Sequence, residues 1–437
     1  MKIAHFGPLP PDRTGVADYC WELLPELSRQ AELDIWIDRD LNAPPPRGCG
    51  IVKLRGQPSL AEQLSVYDSV IYHFGNSKYH LDLYRTFLDH PGVVVLHDFS
   101  LHHFFAEYFL EIAKAPEQYV EEMEYNYGSP GRAMAQDLLK GRLTPPWDTQ
   151  PLLYPLNKRV LDLARGVIVH SEFAKRLVQE THPHLPVRKI NMPAGETKNP
   201  ESVKQLKMRY GIPFDRVIVA SFGMVTPNKR IETVLRAIER LRDRRPIYLL
   251  VGELASCLES AVRDSRLDGI VRPTGYVSGK AFEDYYAIAD ICVNLRYPTS
   301  GETSASVCKL MAAGKACVVS DTGWFSELPD DCVAKVDVDE HEEETLHACL
   351  ESLIANEKLR VKMGANAREY IRAHHSVSTA ASQYVEFLHE VNSYSQRRRF
   401  DRQVIDGIGV RIAHLGVTDE DLHLIERPAE ILARLLG

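Results

Sequence analysis

Short apolar runs alternate with amphipathic stretches along most of the chain. In the first half, five apolar runs predict strands, and residues 15–29 predict a helix because apolar side chains recur there with helical spacing. Ser171 predicts the N-cap of a second helix, since a serine before an amphipathic run accepts a hydrogen bond from the free N–H groups of the first turn. The predicted strands cover residues 2–7, 33–37, 69–74, 93–97 and 166–170.

The alternation starts again after residue 216. A helix is predicted over 230–242, and the predicted strands cover 217–223, 247–252, 271–275, 291–296 and a run containing Val318 and Val319. Alternating strands and helices indicate a parallel sheet covered by helices, here made twice. The fold class is therefore α/β, with two Rossmann-like doubly wound domains that face a cleft.

A polar segment rich in Pro and Gly, residues 193–202, predicts the domain boundary. We expect a first domain over 1–195, a second over 196–375, a helix over 376–392 that crosses back to the first domain, and a tail over 393–437.

Two segments interrupt the alternation. Residues 104–152 form a long segment with a helical pattern and several acidic side chains, which predicts a helical insertion in the first domain. The tail carries Arg397, Arg398 and Arg399 and an amphipathic stretch over 429–436. A basic triplet is usually a solvated face; docking to a membrane or a partner is the minority alternative.

Composition narrows the class of protein. The 437 residues exceed what one core usually organises, and 44% apolar with 26% charged residues is typical of a globular protein. A net charge of −8 argues against nucleic acid as the main partner. The eight cysteines form no CxxC pair, which predicts neither a zinc site nor a disulfide framework.

The location is predicted from what the sequence lacks. No apolar run approaches the roughly 20 residues that span a bilayer, and the first residues enter a strand without a signal-peptide pattern. We expect a cytoplasmic protein, with peripheral contact at the inner membrane face left open.

Ligands of open α/β sheets bind at the carboxyl ends of the strands. In the first half, His97 and Asp98 end a strand, and His102 follows closely. Asn76 and His80 follow the neighbouring strand. A histidine here can bind a substrate hydroxyl or move a proton near neutral pH, or it can merely cap the strand.

In the second half, Lys229 and Arg230 stand where a helix begins. The helix dipole disfavours cations there, so a bound anion would explain them; Lys-Arg pairs are also common on surfaces. The stretch 294–329 places a small-residue loop before another helix, which is typical of a phosphate site. Glu302 lies in that loop, where a carboxylate can bind a sugar hydroxyl.

Taken together, these motifs resemble the retaining nucleotide-sugar glycosyltransferases of the GT-B fold, family 4, over about residues 1–392. The resemblance is carried by SFGMVTPNKRIETVLRAI (221–238), the VGE strand end at Gly252, PTGYVSG (273–279) and the segment 298–321, all in order. Several motifs in the expected order are far more specific than any one of them.

The resemblance implies a donor site mainly in the second domain. Lys229 would hold the diphosphate, Gly15 would approach it from the first domain, and His97 would lie near the transferred sugar and the acceptor. Tyr276 and Val277 would meet the nucleobase. The backbone cradle would comprise Thr303, Ser304, Ala305 and Ser306.

The sequence departs from the family pattern at two places. Met224 stands where the family usually has an arginine, and Arg230 or Arg296 is expected to supply that charge. The family's two glutamates fall at Gly301 and Lys309. Glu302 is one step from the first, whereas Lys309 leaves ribose recognition, and so the nucleotide, open.

We therefore expect a retaining transferase that moves a sugar from a nucleoside diphosphate to an acceptor hydroxyl, without a metal or cofactor, in the synthesis of a glycan, glycolipid or glycosylated metabolite. His97, Glu302 and Lys229 are the expected catalytic residues; Asn76, His80, Asp98 and His102 are expected to meet a glycan, lipid-linked or small-molecule acceptor. The alternatives are another GT-B enzyme, such as an epimerase or phosphorylase, and a silent sugar-nucleotide binder, which Met224 and Lys309 favour.

Overall fold

The computed structural model describes most of the chain, and from residue 395 onwards only the backbone and the Arg397 side chain. The described residues are 1–38, 41, 44–54, 60–195, 201–265, 267–277 and 279–414. Two compact units are distinguished, Met1–Val385 and Glu386–Gly437. The first unit holds both sheets. The second continues the last helix to residue 414, and the predicted amphipathic stretch 429–436 lies outside the described residues.

The first domain is built on a parallel sheet of seven described strands in the order β3-β2-β1-β4-β5-β6-β7. Strands β4, β5 and β6 are apolar and buried over most of their length, as expected where helices cover both faces of a parallel sheet. The strands are β1 (Lys2–Phe6), β2 (Glu32–Ile37), β3 (Cys49–Lys53), β4 (Ser69–Phe74), β5 (Val93–Leu96), β6 (Gly166–Val169) and β7 (Val187–Lys189).

The second domain repeats this plan with six described strands in the order β10-β9-β8-β11-β12-β13. Its core comprises the buried faces of β8, β9, β11 and β12 and the helices packed on them. The strands are β8 (Ile218–Phe222), β9 (Ile247–Val251), β10 (Val271–Gly275), β11 (Ile291–Asn294), β12 (Ala316–Ser320) and β13 (Val333–Val336).

Helices connect the strands and cover the sheets. The described α-helices are α1 (Gly15–Leu27), α2 (Leu60–Leu64), α3 (Leu81–Asp89), α4 (His102–Ala106), α5 (Pro116–Leu139), α6 (Pro146–Thr149), α7 (Lys158–Leu163), α8 (Glu172–Thr181), α9 (Val203–Arg209), α10 (Ile231–Arg240), α11 (Glu259–Arg263), α12 (Gly279–Ile288), α13 (Ala305–Ala312), α14 (Glu342–Ala355), α15 (Glu357–His374) and α16 (Val377–His414). A π-helical turn covers Glu107–Ile112, and 3₁₀ turns cover Lys78–His80, Pro227–Lys229, Arg242–Arg244, Ser256–Leu258 and Gly323–Glu327. No helix in the described part of the chain is both long and apolar enough to span a bilayer.

The edge strands β3, β7 and β13 are absent from the prediction. Each has a single neighbour in its sheet, and each is partly exposed, so none forms the continuous apolar run by which the central strands are recognised. The predicted central strands occur, most of them one or two residues shorter than predicted.

The helical insertion shares the core of the first domain. Helices α4 to α7 lie between β5 and β6. Phe104, Phe105, Tyr119 and Met123 belong to the same buried cluster as Tyr72 of the sheet. Burial of these aromatic side chains ties the insertion to the sheet and so holds the segment that follows β5 in place.

Two chain segments connect the domains side by side. Ala194 N donates to His375 O at 3.0 Å, and His375 Nδ1 lies 2.7 Å from Met192 O. Further along, the Oη of Tyr384 in α16 lies 2.6 Å from that of Tyr19 in α1. The start of α16 therefore returns to the first domain. Residues 196–200 of the predicted boundary lie outside the described residues.

Candidate functional site

The two domains touch where a loop of the second meets the end of β5 in the first. Ser100 N donates to Ser300 O at 2.9 Å. Gly301 has φ +78°, and a Cβ there would lie 2.6 Å from Phe99 Cβ. Only glycine fits this backbone and this approach. The contact brings Glu302 next to the first-domain residues that follow β5.

Lys229 is the most unusual charged residue of the site. Its side chain is buried, with 7% of the residue exposed, and Nζ donates to Phe222 O at the end of β8. In the described part of the chain, no carboxylate oxygen lies within 4.0 Å of Nζ. Burial, with repulsion from Arg296, holds the pKa of Lys229 well below its usual range. An anion would offset both effects.

The Lys229 ammonium lies between the end of β8 and the start of α13. Gly223 has φ +82°, and a Cβ there would lie 3.0 Å from Lys229 Nζ and 3.9 Å from Ser306 Oγ. Gly252, at the end of β9, is equally constrained, because a Cβ would lie 2.4 Å from Gly223 O. Gly252 therefore allows the close approach of two strand ends that shape the site.

The N-terminus of α13 adds backbone donors. Ser304 is the N-cap, and its Oγ accepts from Val307 N at 3.3 Å. Thr303 and Ser304 are buried. Among the described residues, the N–H groups of Thr303, Ser304, Ala305 and Ser306 have no hydrogen-bond acceptor. A helix start with free N–H groups beside a buried ammonium favours an anion.

Glu302 is held firmly in its loop. Its Oε2 accepts from Ser300 N at 2.7 Å and from the hydroxyls of Thr299 and Ser300 at 2.9 Å. Its Oε1 lies 3.0 Å from Arg296 Nε, as an ion pair without the alignment of a hydrogen bond. Both side chains are largely buried. Glu302 is therefore placed beside Arg296 and the domain contact, with its orientation set by four neighbouring groups.

Arg230 is placed differently from the expectation that it binds the donor. Its guanidinium pairs with Glu342 at the start of α14, Nε lying 3.0 Å from Oε2, and Nη2 binds the same oxygen. Arg230 is thus engaged in an ion pair within the second domain. The cation beside Lys229 is Arg296, which the sequence offered as the other substitute for the missing arginine.

His97 and Asp98 lie at the first-domain side of the contact. His97 is buried, and its Nε2 is 3.0 Å from His73 Nδ1. Burial, with neighbouring imidazoles, keeps the pKa of His97 well below its usual range. Burial and the Glu302 carboxylate raise the pKa of Asp98 to about 7. Ser300 Oγ donates to Asp98 Oδ1 at 3.4 Å, so Asp98 spans the contact.

The other expected acceptor residues are engaged inside the first domain. Asn76 donates to Ser100 O at 2.5 Å and accepts from Phe104 N at 3.2 Å. His80 is fully buried, with Nδ1 at 2.8 Å from His73 O. Both nitrogens of His102 have partners, Tyr154 O and Tyr119 Oη. These side chains position the strand ends and the insertion.

The glycine loop and the expected nucleobase loop meet across the cleft. A Cβ at Gly15 would meet nothing within 4 Å, which leaves open space in front of the start of α1. Arg13 lies over the ring of Tyr276, 4.4 Å from its centroid, and Tyr276 is 56% exposed. Val277, also partly exposed, follows it after β10. The two loops therefore border one opening.

An ion pair between the two domains was missed from the sequence. Lys309 Nζ of α13 donates to Glu22 Oε1 of α1 at 2.6 Å. Burial lowers the pKa of Lys309, but the Glu22 carboxylate raises it by more, so the net shift is upward. Burial raises the pKa of the nearby Asp18. The available signal was the four-residue spacing of Asp18 and Glu22, which places both on one face of α1.

Comparison with known proteins gives a family match in the second domain. Residues 203–370 match the family model described as glycosyl transferases group 1. No curated protein sequence matches the chain.

Solved structures with the same architecture cover nearly the whole chain. A sucrose-phosphate synthase from Thermosynechococcus elongatus has a TM-score of 0.64 at 17% identity, covering 90% of this chain and 100% of that one. HepE of Anabaena, in complex with UDP-glucose, has a TM-score of 0.61 at 14% identity, covering 89% and 100%. WaaG, a glycosyltransferase involved in lipopolysaccharide biosynthesis, has a TM-score of 0.56 at 13% identity, covering 87% and 98%.

At such low identities the likeness establishes the fold and not the substrates. The chain therefore has the GT-B fold of two parallel-sheet α/β domains, and the match of its second domain to glycosyl transferases group 1 supports a glycosyl transfer function.

Proposed function

We propose that the protein is a retaining glycosyltransferase that moves a sugar from a nucleoside diphosphate to an acceptor hydroxyl. The observation that carries the proposal is the buried Lys229, which has no carboxylate partner among the described residues and lies beside Arg296 and the free N–H groups of α13. A diphosphate supplies the negative charge that this arrangement lacks.

The same groups would assist bond cleavage. As the glycosidic bond to the donor breaks, negative charge grows on the leaving diphosphate. An ammonium and helix N–H groups already directed at that charge stabilise the transition state without reorganising. In this scheme the diphosphate is held by protein cations and backbone donors, and the donor site requires no metal ion.

Retention of configuration is proposed to follow from attack on the face that the diphosphate leaves. A β-phosphate oxygen of the departing nucleotide would accept the proton of the acceptor hydroxyl. His97, neutral because burial lowers its pKa, would orient the sugar or the acceptor instead of acting as a strong base. Glu302, fixed by Ser300 and Thr299, would bind donor-sugar hydroxyls.

The test is Lys229→Met, with binding of nucleoside diphosphates measured by calorimetry. Losing one charged hydrogen-bonding partner should weaken binding by roughly 10- to 100-fold. The melting temperature should not fall, because the substitution also removes an unpaired buried charge. Uridine nucleotides come first in the panel, since the HepE structure contains UDP-glucose.

Lys315→Met is the matched control. Lys315 is a partly buried lysine of the second domain that, like Lys229, donates to a backbone oxygen, Ala287 O at 2.8 Å, and burial lowers its pKa as well. Its replacement should leave nucleotide affinity unchanged. Equal affinity of the Lys229→Met variant and the unmodified protein would remove the diphosphate assignment.

The donor panel also separates the alternative functions. Transfer or slow hydrolysis of a sugar nucleotide shows an active transferase, and inversion of a sugar carbon in the recovered donor shows an epimerase. Binding without any turnover shows a silent binder, the alternative that Lys309, paired with Glu22, and the exposed Met224 favour. Product stereochemistry, read by NMR, tests retention directly.

A further inference from the structure

Four buried histidines form a row across neighbouring strands of the first sheet. His5 is in β1, His73 in β4, and His97 and His170 follow β5 and β6. Successive ring centroids are 4.7, 5.3 and 5.0 Å apart. All four are at most 6% exposed. Of these four histidines, only His97 has a role in the proposed glycosyl transfer. His5, at one end of the row, has none.

His5 stands at that end and has no hydrogen-bond partner. It is 0% exposed, and neither Nδ1 nor Nε2 has a partner in the described part of the chain. Burying an unpaired polar group typically costs about 1–3 kcal/mol, and here one ring carries two such atoms. A ligand that binds to an imidazole nitrogen would remove part of this cost.

A thiol and a second imidazole lie next to His5. One ligand atom each from His5, Cys20 and His73 can be chosen so that all lie within 4.8 Å of one another, and all three residues are buried. Gly7 closes over them: a Cβ there would lie 3.0 Å from His5 Cε1 and 3.1 Å from Cys20 Sγ. No other group of three His, Cys, Asp or Glu is so arranged among the described residues.

We propose that His5, Cys20 and His73 form a site for a thiophilic first-row metal ion of the Zn²⁺ class. Two imidazole nitrogens and one thiolate are ligands that such ions prefer, and they supply three of the four positions of a tetrahedral site. Binding replaces the thiol proton of Cys20, which is released to solvent. This site is separate from the donor site and does not depend on the proposed function.

The geometry requires only a small contraction. With Zn–N near 2.0–2.1 Å and Zn–S near 2.3 Å, tetrahedral donor atoms lie roughly 3.3–3.7 Å apart. The three donors would therefore close by about 1 Å, a movement that side-chain rotation supplies. The site would join β1, α1 and β4 beneath the cleft, as a structural metal joins elements of a small domain.

The second ring nitrogen of His73 already has a neighbour that can orient the ring. His73 Nδ1 lies 3.0 Å from His97 Nε2, which leaves His73 Nε2 to ligate. A metal-bound imidazole usually donates its other N–H to a neighbouring acceptor. Ligation of His73 would thus fix Nδ1–H as the donor toward His97 and hold that ring in one orientation.

The experiment uses the full-length protein and Co²⁺ as a spectroscopic probe of the zinc site. We expect one bound ion per chain, a thiolate-to-cobalt charge-transfer band, and a higher melting temperature with added Zn²⁺. Cys20→Ser should abolish the band, and Cys20→Ser and His5→Gln should each weaken metal binding by at least about tenfold. Cys349→Ser, which replaces a partly buried cysteine of α14, should retain all three signals.

Two results would overturn the site: a protein that binds no ion at micromolar Co²⁺ or Zn²⁺, or a charge-transfer band that persists in Cys20→Ser. Circular dichroism of each variant verifies that it is folded. If Cys20→Ser unfolds, His5→Gln removes a different metal ligand and tests the site independently. Nucleotide affinity, measured in the same preparations, keeps this outcome distinct from that of the donor site.

Discussion

The strand ends of the two domains differ in how their polar groups are satisfied. In the first domain, Asn76 and His102 have their partners inside the protein, and the imidazole of His97 is kept neutral by burial. In the second, Lys229 is a buried cation without a carboxylate partner among the described residues. The first-domain strand ends therefore have their polar groups paired or neutralised, apart from the Asp98 carboxyl, whereas those of the second domain hold a lysine that lacks an anion.

The two domains therefore meet different requirements of a transfer reaction: stabilising a charged leaving group and positioning neutral groups. A charged leaving group needs fixed opposite charge, which the second domain supplies. A sugar or an acceptor hydroxyl is neutral and needs position, which a rigid edge of buried histidines can supply. Substitutions on the two sides should therefore separate binding from transfer, and Lys229→Met marks the binding side.

The largest effect is expected from His97→Ala. The sugar-transfer rate should fall by roughly 100-fold or more, because misplacement of a reacting group by about 1 Å has that cost. Nucleoside diphosphate affinity should stay within about twofold, since His97 is neutral and lies on the first-domain side. Transfer assays and calorimetry measure the two quantities.

His102→Ala is the control for that variant. His102 is equally buried but lies among the helices of the insertion, so its loss tests the effect of disturbing the first-domain core alone. If both variants lose transfer to the same degree, His97 has no special role. If His97→Ala weakens nucleotide affinity as strongly as Lys229→Met does, the division between the two domains is wrong.

Gly301→Ala tests the contact between the two domains. The positive φ alone costs alanine about 1–2 kcal/mol, and the added Cβ would lie 2.6 Å from Phe99 Cβ. Gly211→Ala has a similar φ of +61° with nothing within 4 Å. Urea unfolding should show a larger loss of stability at Gly301, and equal losses would mean that the contact can open without cost.

Glu302→Gln should alter use of the donor sugar more than nucleotide binding. The amide keeps the size of the side chain but loses the ion pair with Arg296. We expect kcat/KM for transfer to fall by roughly tenfold, about 1.4 kcal/mol, with the affinity for the bare diphosphate nearly constant. Glu253→Gln, an exposed glutamate after β9, is the control. A parallel loss of both quantities would refute the sugar role.

The last prediction concerns pH. The pKa of Asp98 is raised from 3.8 to about 7 in the folded protein, so between about pH 4 and pH 7 the folded state binds more protons than the unfolded chain. Its contribution to stability is complete below pH 4 and is lost as pH rises through 7, with a slope of up to about 1.4 kcal/mol per pH unit.

Asp98→Asn should remove that part of the slope. Urea unfolding at several values between pH 5 and pH 8 measures it. Because the Glu302 carboxylate is the second cause of the shift, Glu302→Gln should reduce the slope as well. Identical slopes in Asp98→Asn and the unmodified protein would show that the carboxyl titrates in its ordinary range.

The sequence pattern predicted the central strands well and missed three of the four described edge strands. The central strand β4 occurs at the predicted position, because an apolar run bounded by polar residues marks such a strand, and the edge strand β10 also occurs where it was predicted. β3, β7 and β13 were missed, since a strand with one neighbour buries too little to show the pattern. The pattern of apolar residues depends on how completely a strand is buried, and a strand at the edge of a sheet is only partly buried.

The site shows the same division. Lys229, Arg296 and the start of α13 were predicted from motif and helix position, and they lie together. Arg230 could not be separated from Arg296 by sequence, because its partner Glu342 is 112 residues away in the chain. The pair Lys309 and Glu22, 287 residues apart, was likewise hidden.

By itself, the sequence determined that there are two α/β domains and which strand ends carry polar groups, because these depend on local periodicity and on residues adjacent in the chain. Only the tertiary structure decided which of these groups stay unpaired, which ion pairs cross the cleft, and that His5, Cys20 and His73 converge under Gly7. Pairing and burial depend on neighbours far along the chain, and a low-dielectric interior makes the difference between a paired and an unpaired charge large.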